Sequence, residues 1–333
     1  MKAYGYTSAD AAPELIEQPN PVPTGRDLLI EIEAIAVNPV DTKVKAGIKK
    51  RLDTPKVIGW DACGTVIAAG GDCELFKIGD KVFYAGDISR PGCYASHQLV
   101  DERIVGFAPH TLTATEAAAM PLTSITAWEA LFSRMKIHPN VDINKTLLIV
   151  GAAGGVGSIA IQLAKKVVDL NVVATASRSE SADWCLELGA DHIINHHNLA
   201  AEYQQLGIAK PDYILCLGDT DSYFDTLAEL VAPQGMICFV VTSQQNHNID
   251  VLKTKSAGLV WEFMFTRPMF KTADITAQHQ LLNRIAEMLD EGLLRCTLRQ
   301  TFGAINADTI HQAHQQLLSG TTLGKIALTA IKN

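Results

Sequence analysis

The chain has 333 residues, of which 47% are hydrophobic and 19% charged. That is globular composition at a length too great for one hydrophobic core, so two domains are expected. The net charge of -8 excludes the broad basic face that nucleic acid or an anionic membrane surface requires, and leaves a small molecule as the expected ligand.

The start of the chain, "MKAYGYTSAD", carries no apolar export signal. Residues 28–37, "LLIEIEAIAV", alternate with the strand period and put Glu31 and Glu33 on one face. Further strands are expected at 62–69, 81–85 and 94–104, punctuated by "AAGGD" and "AGDISRPG". Thr113 opens "TATEAAAM" with Glu116 three residues on, which is a capping box, and Pro121 begins a second amphipathic stretch containing Trp128, Leu131 and Phe132. From 146 onward strands at 146–150, 171–176, 192–194, 213–217 and 236–241 alternate with helical segments, the pattern of a parallel sheet with crossover helices. After 270, a helix (276–290), a strand (294–302), a helix (306–318) and a strand (325–330) read as α+β. Seven cysteines (Cys63, Cys73, Cys93, Cys185, Cys216, Cys238 and Cys296), odd in number and without a C-x-x-C pair, suit reduced thiols and a cytoplasmic location.

The run "LLIVGAAGGVGSIAIQLA" (147–164) is uncharged and long enough to suggest a membrane span. Its central glycines make it a strand, a tight turn and a helix read end to end, so no membrane association is expected. Ala153, Gly154, Gly155, Val156 and Gly157 then form a phosphate cradle: glycine permits the sharp turn and the close approach of backbone N–H groups to a pyrophosphate held at the helix N-terminus. An NAD site carries an acid about twenty residues further on; here Ser177 and Arg178 stand in that place. A hydroxyl and a guanidinium favour a 2'-phosphate, so NADPH is the expected cofactor. The same two residues also read as a helix start, with Ser177 as cap and Glu180 as its capping-box partner. His196 is a candidate neighbour of that phosphate, and equally a solvated loop residue like His192 and His197.

An ordered set of segments resembles the medium-chain dehydrogenase/reductase superfamily, in its zinc-independent quinone oxidoreductase-like branch: "AVNPVDTKVKAG" (36–47), "IGWDACGTV" (58–66), "FKIGDKVF" (76–83), "AAMPLTSITAWEAL" (118–131), "GAAGGVGSIAIQLAK" (151–165), "LELGADHIIN" (186–195), "WEFMFTRPMF" (261–270) and "SGTTLGKIAL" (319–328). The resemblance implies an α/β protein with a mostly-β GroES-like catalytic domain, residues 1–122 completed by 271–333, and an inserted Rossmann doubly wound parallel-sheet domain, residues 123–270. It implies a homodimer formed by paired sheet edges, for which "MICFVV" and "GLVWEFMF" are suitably apolar. In zinc-dependent relatives the positions of Asn38, Trp60 and Leu122 are similar to those of a Cys, a His and a Cys ligand; a carboxamide, an indole and an aliphatic chain are poor zinc donors. The four-Cys structural lobe of those relatives is also absent, since Cys93 alone lies between 81 and 110.

The expected activity is therefore an NADPH-dependent, metal-free transfer of hydride to a quinone or other conjugated carbonyl acceptor, a small molecule held close to the nicotinamide in a water-poor site. The resemblance places Asn38 and Thr126 near the nicotinamide and the backbone of Phe239 and Val240 against its carboxamide. Trp60, Trp261, Phe263 and Phe265 are candidates for the acceptor pocket, with core or dimer packing as the alternative for the aromatics. Arg267 is a candidate for stabilising a developing oxyanion, or else an interface residue. Relatives that reduce enoyl thioesters have a Tyr acid near the position of Lys49, so no general acid is identified; Lys49 and Lys50 read equally as a solvated pair. Two other functions stand beside this one: an NADPH-binding regulatory protein with vestigial catalysis, and a zinc-type alcohol dehydrogenase.

Overall fold

A computed structural model of the protein describes residues 1–332. Its internal contacts divide the chain into two units, one formed by Met1–Ile125 with the segment from Phe265 on, the other by Thr126–Met264. This is the α/β architecture expected, a GroES-like unit built from both ends of the chain and a parallel-sheet unit from its middle.

The first unit holds two sheets. A small one orders its strands β2-β1-β4, from β1 (Lys2–Tyr6), β2 (Glu14–Glu17) and β4 (Lys56–Val57). The larger one has the order β15-β16-β3-β5-β6-β8, with β7 also paired to β3. Its members are β3 (Asp27–Val37), β5 (Ala62–Ala69), β6 (Lys81–Tyr84), β7 (His97–Asp101), β8 (Val105–Phe107), β15 (Leu298–Ala304) and β16 (Lys325–Thr329). Helix α1 (Pro39–Ala46) starts where the sequence chemistry demands: Pro39 occupies its first turn and the Asp41 carboxylate reaches back to the Asn38 N–H at 2.9 Å. The expected capping box opens α2 (Ala114–Ala118), with the Glu116 carboxylate accepting the Thr113 N–H at 2.9 Å. Helices α8 (Thr266–Phe270), α9 (Ala277–Asp290) and α10 (Ala307–Leu318) complete the unit.

Several strand ends move by one or two residues from expectation, and two expected strands differ by more. The run 94–104 is not one strand, because Glu102, buried between β7 and β8, accepts the N–H groups of Glu74 and Leu75 at 2.9 and 2.8 Å and the Arg26 guanidinium at 2.6 Å, turning the chain through one short helical turn. The strand expected from 294 begins at Leu298, since the N–H groups of Leu293 and Leu294 both bind the Met288 carbonyl and close the end of α9.

The second unit is a six-stranded, all-parallel sheet of order β11-β10-β9-β12-β13-β14. Its strands are β9 (Thr146–Val150), β10 (Asn171–Thr175), β11 (His192–Ile194), β12 (Tyr213–Cys216), β13 (Met236–Phe239) and β14 (Gly258–Trp261). In order of appearance this is 3-2-1-4-5-6, the doubly wound arrangement, whose ligand site lies beyond the carboxyl ends of the strands where the order reverses. Every residue of β9 is buried, as a strand covered on both faces requires. The chain passes between units inside α3 (Pro121–Trp128) and continues as a π-helical turn to Arg134. Helices α4 (Gly155–Leu163), α5 (Ser179–Glu187), α6 (Leu199–Gln205) and α7 (Thr220–Leu230) link the strands. Among the described residues, no helix is long and apolar enough to cross a membrane; the suspicious run at 147–164 is β9, a turn and α4.

Candidate active site

The glycine turn between β9 and α4 has the geometry of an anion cradle. Gly151 leaves the strand at φ +81°, and its N–H donates to the Thr175 hydroxyl on β10 at 3.0 Å. Gly154 caps α4, whose first internal bond runs from the Ser158 N–H to the Gly154 carbonyl at 2.9 Å. The N–H groups of Gly155, Val156 and Gly157 therefore have no intrahelical acceptor and present the positive end of the helix to an anion. A Cβ on Gly157 would lie 2.3 Å from the Ala152 carbonyl oxygen, so only glycine lets α4 pack this closely on the turn. Ala153, Gly154, Gly155 and Val156 are half-buried and reachable. Ser158 steadies the turn: its hydroxyl donates to the Gly154 carbonyl and accepts the Trp184 indole N–H, both at 2.8 Å.

At the next strand ends, Ser177 and Arg178 are exposed just after β10. The cap of α5 is not the one expected. Arg178 holds the cap position, and the partner is Ser181, whose hydroxyl donates to the Arg178 carbonyl at 2.7 Å and accepts its N–H at 3.2 Å; Ser177 and Glu180 lie one residue too early for this exchange. His196, after β11, is half-buried against His197 at 4.2 Å between ring centroids. Its pKa is lowered by burial and by the neighbouring His197 and Arg178 charges, so Arg178 stands within electrostatic reach.

Farther along the sheet, the Phe239 carbonyl accepts the Glu262 N–H at 2.9 Å and the Val240 N–H donates to the Cys216 carbonyl at 3.3 Å. The Phe239 ring is fully buried, 6.0 Å from Phe224 and 5.7 Å from Trp261. After the sheet edge the side chains alternate: Trp261 and Phe263 are 47% and 45% exposed, while Glu262 turns inward to Arg134 at 2.8 Å, which also binds buried Glu129 at 3.1 Å. Thr126, on α3, is buried.

In the first unit, Asn38 and Leu122 meet at Asp61, the residue that follows Trp60 in the chain. This carboxylate accepts the Asn38 side-chain N–H at 2.9 Å and the Leu122 backbone N–H at 2.8 Å. Asn38 is 1% exposed, and its carboxamide oxygen accepts from the Lys325 ammonium, so both ends of the side chain are engaged inside the unit. Trp60, a candidate for the acceptor pocket, is fully buried: its indole N–H donates to the Asp87 carbonyl at 3.1 Å, and Phe265 meets it edge-on at 6.0 Å. Arg267 is likewise interior, with its guanidinium on Asp274 at 3.0 and 2.9 Å instead of presented as an exposed cation. Lys49 and Lys50 are exposed.

Sequence reasoning missed the polar residues that organise this centre. Lys325 and Asp61 form a buried ion pair at 3.0 Å. Asp41 accepts the Tyr94 hydroxyl at 2.9 Å, and Tyr94 also bonds His314 Nε2 at 2.8 Å. The one available signal was Asp41 three residues after Asn38, a capping spacing.

A zinc ion does not fit here. The three positions offer an indole committed as a donor, an aliphatic side chain and an engaged carboxamide. Among the described residues, no group of three or more His, Cys, Asp or Glu side chains could hold a metal.

Comparison with known proteins agrees with the fold. Residues 24–123 match the family model described as alcohol dehydrogenase GroES-like domain, and residues 188–328 the one described as zinc-binding dehydrogenase. A zinc-type alcohol dehydrogenase-like protein of Staphylococcus aureus is 42% identical over 318 residues, covering 95% of this chain and 94% of the relative. A crystal structure from Rhizobium etli, provisionally titled a zinc-dependent alcohol dehydrogenase, superposes with TM-score 0.94 at 47% identity, over 100% of this chain and 99% of the other. The quinone oxidoreductase of Coxiella burnetii superposes with TM-score 0.81 at 26% identity, over 99% of each chain.

Proposed function

The chain belongs to the medium-chain dehydrogenase/reductase superfamily, in its quinone oxidoreductase-like branch, and is an oxidoreductase using a nicotinamide cofactor; from that premise we propose that it takes NADPH and transfers hydride to a quinone or other conjugated carbonyl compound without a metal. The observation that carries the reading is the exposed Arg178 beside His196 at the ends of β10 and β11, where an NAD site would have a carboxylate. A guanidinium there makes charge-assisted bonds to a 2'-phosphate, and His196 can add a ring face or a hydrogen bond. The turn at Ala153–Gly157 receives the pyrophosphate.

The bound cofactor supplies the hydride. The chain's part is binding, orientation and exclusion of water. Without a Lewis acid, acceptors that take hydride readily are favoured over alcohols, whose proton must also leave. The relative from Coxiella named a quinone oxidoreductase supports that acceptor class. Thr126, the backbone of Phe239 and Val240, and the half-exposed Trp261 and Phe263 are the proposed contacts. Asn38, Trp60, Phe265 and Arg267, being interior, are proposed to act by holding the surrounding backbone. A homodimer joined along the β14 edge is part of the same proposal.

The test is turnover of NADPH and NADH, followed by loss of nicotinamide absorbance, against a panel of quinones and enones. Turnover with NADPH and a quinone or enone is expected; tight NADPH binding with no acceptor reduced would defeat the proposal.

A further inference from the structure

Hydride transfer as proposed gives no role to the ammonium of Lys325, a group expensive to bury. Lys325 is 4% exposed on β16. Its three protons meet three oxygens: the Val37 carbonyl at 3.0 Å, the Asp61 carboxylate at 3.0 Å and the Asn38 carboxamide oxygen. The ammonium is therefore saturated.

The second half of the cluster is Asp61, with no solvent exposure. One of its oxygens takes the Asn38 amide and the Lys325 ammonium; the other takes the Leu122 N–H at 2.8 Å. Leu122 lies in the first turn of α3, where the N–H has no partner within the helix and a negative charge is favoured. Asn38 caps α1. One buried ion pair thus fastens the N-termini of two helices to the last strand of the chain. Burial raises the Asp61 pKa, and the Lys325 charge is the largest influence opposing that rise. Removing one partner would leave the other buried and uncompensated, which costs far more than the pair itself contributes.

We infer that Lys325 is a positioning residue of this reductase: its ammonium holds the Asp61 carboxylate and the Asn38 carboxamide each in one orientation, so that the first turns of α1 and α3 hold a single geometry without a metal ion. The consequence for turnover rests on the hydride-transfer reading above. The fixing of Asn38 does not.

The experiment compares Lys325→Met, Lys325→Arg and the double variant Asp61→Asn/Lys325→Met with the wild type. It reads the melting temperature, the NADPH dissociation constant, kcat and KM for the best quinone as functions of pH, and the Asn38 side-chain signals in protein labelled with 15N-asparagine. Lys325→Met is expected to lower kcat roughly tenfold or more, as small displacements of positioned groups do, with NADPH affinity unchanged. Its kcat should recover toward high pH as the abandoned Asp61 ionises. Lys325→Arg should restore the charge and remove that pH limb. The double variant should regain melting temperature but not kcat, with the Asn38 signals displaced.

Wild-type kcat and pH profile in folded Lys325→Met would overturn the inference, as would full kcat in the double variant with Asn38 signals unmoved, which would make the pair structural only. Should Lys325→Met fail to fold, the double variant decides alone. A wild type that reduces no acceptor defeats the hydride-transfer reading instead; the Asn38 signals then still decide whether Lys325 fixes this side chain.

Discussion

Gly157 and Arg178 show how differently two residues of one site are constrained. Gly157 is fixed by space: an alanine methyl would have to displace the backbone of Ala152, because its nearest neighbour at 2.3 Å is a carbonyl and not a flexible side chain. Gly157→Ala is expected to cost about 1–3 kcal/mol of stability through overpacking and to weaken both NADPH and NADH, measured by thermal unfolding and by cofactor titration. Gly154→Ala is the control, since its Cβ would meet only the Gly151 carbonyl at 3.6 Å. Arg178 is fixed by charge. Losing a charge-assisted bond costs about 1.5–3 kcal/mol, so Arg178→Ala should raise the NADPH dissociation constant roughly ten- to hundredfold and leave that for NADH nearly unchanged; equal effects on the two nucleotides would remove the case for NADPH. Both residues were legible in the sequence because their reasons are local, a turn and a spacing. Lys325 was not, since its partners Asn38 and Asp61 lie 287 and 264 residues upstream, and a lysine in an apolar strand does not announce which acid it meets.

Between elements, the chain Asp41–Tyr94–His314 joins α1 to α10 and sets a pH dependence. Burial raises the Asp41 pKa to about 7 from an ordinary 3.8, against the pull of its bonds from Asn38 and Tyr94. Burial, with the Lys45 and His311 charges, lowers the His314 pKa to about 4 from 6.5. Between these limits the folded state holds a proton on Asp41 that the unfolded chain has lost, so this group's contribution to stability falls as pH rises from about 4 to about 7. His314 works in the opposite sense: the unfolded chain holds its proton up to 6.5 while the folded one has lost it near 4, so stability rises with pH across that window. The effects are on the order of 4 kcal/mol for Asp41 and 3 kcal/mol for His314, and they oppose. Wild-type protein should therefore show a shallow stability profile between pH 4 and 6.5. Asp41→Asn, which keeps an acceptor for Tyr94, should unmask the His314 limb and become steadily more stable with rising pH, as urea unfolding at a series of pH values would show. Parallel curves for the two proteins would mean that Asp41 is ionised throughout. The elements themselves were partly readable: β9 and β11 fall where apolar runs placed them, whereas the strand expected at 94–104 was broken by Glu102, whose partners Arg26, Glu74 and Leu75 come from elsewhere in the chain.

At the scale of the whole molecule, the proposed dimer is a question about one edge of the parallel sheet. Its 3-2-1-4-5-6 order leaves β14 as an edge strand among the described residues. Trp261, the last residue of β14, and Phe263 just past it expose about half their surfaces. The apolar run "GLVWEFMF" was visible in the sequence, but it could not say whether the aromatics face an acceptor or a second chain, because both occupants demand the same exposure. The two are separable by mass and kinetics. In a twofold dimer each substitution acts twice, so replacing Trp261 and Phe263 removes four aromatic side chains, each worth roughly 2 kcal/mol when buried, or about 8 kcal/mol per dimer. Trp261→Lys/Phe263→Glu is therefore expected to run as a monomer by light scattering at micromolar concentration while the wild type runs as a dimer, with NADPH affinity retained because the cradle at Gly154–Gly157 is built by β9 and α4. A variant that stays dimeric while its KM for the quinone rises would assign the two aromatics to the acceptor pocket and take the β14 edge out of the interface.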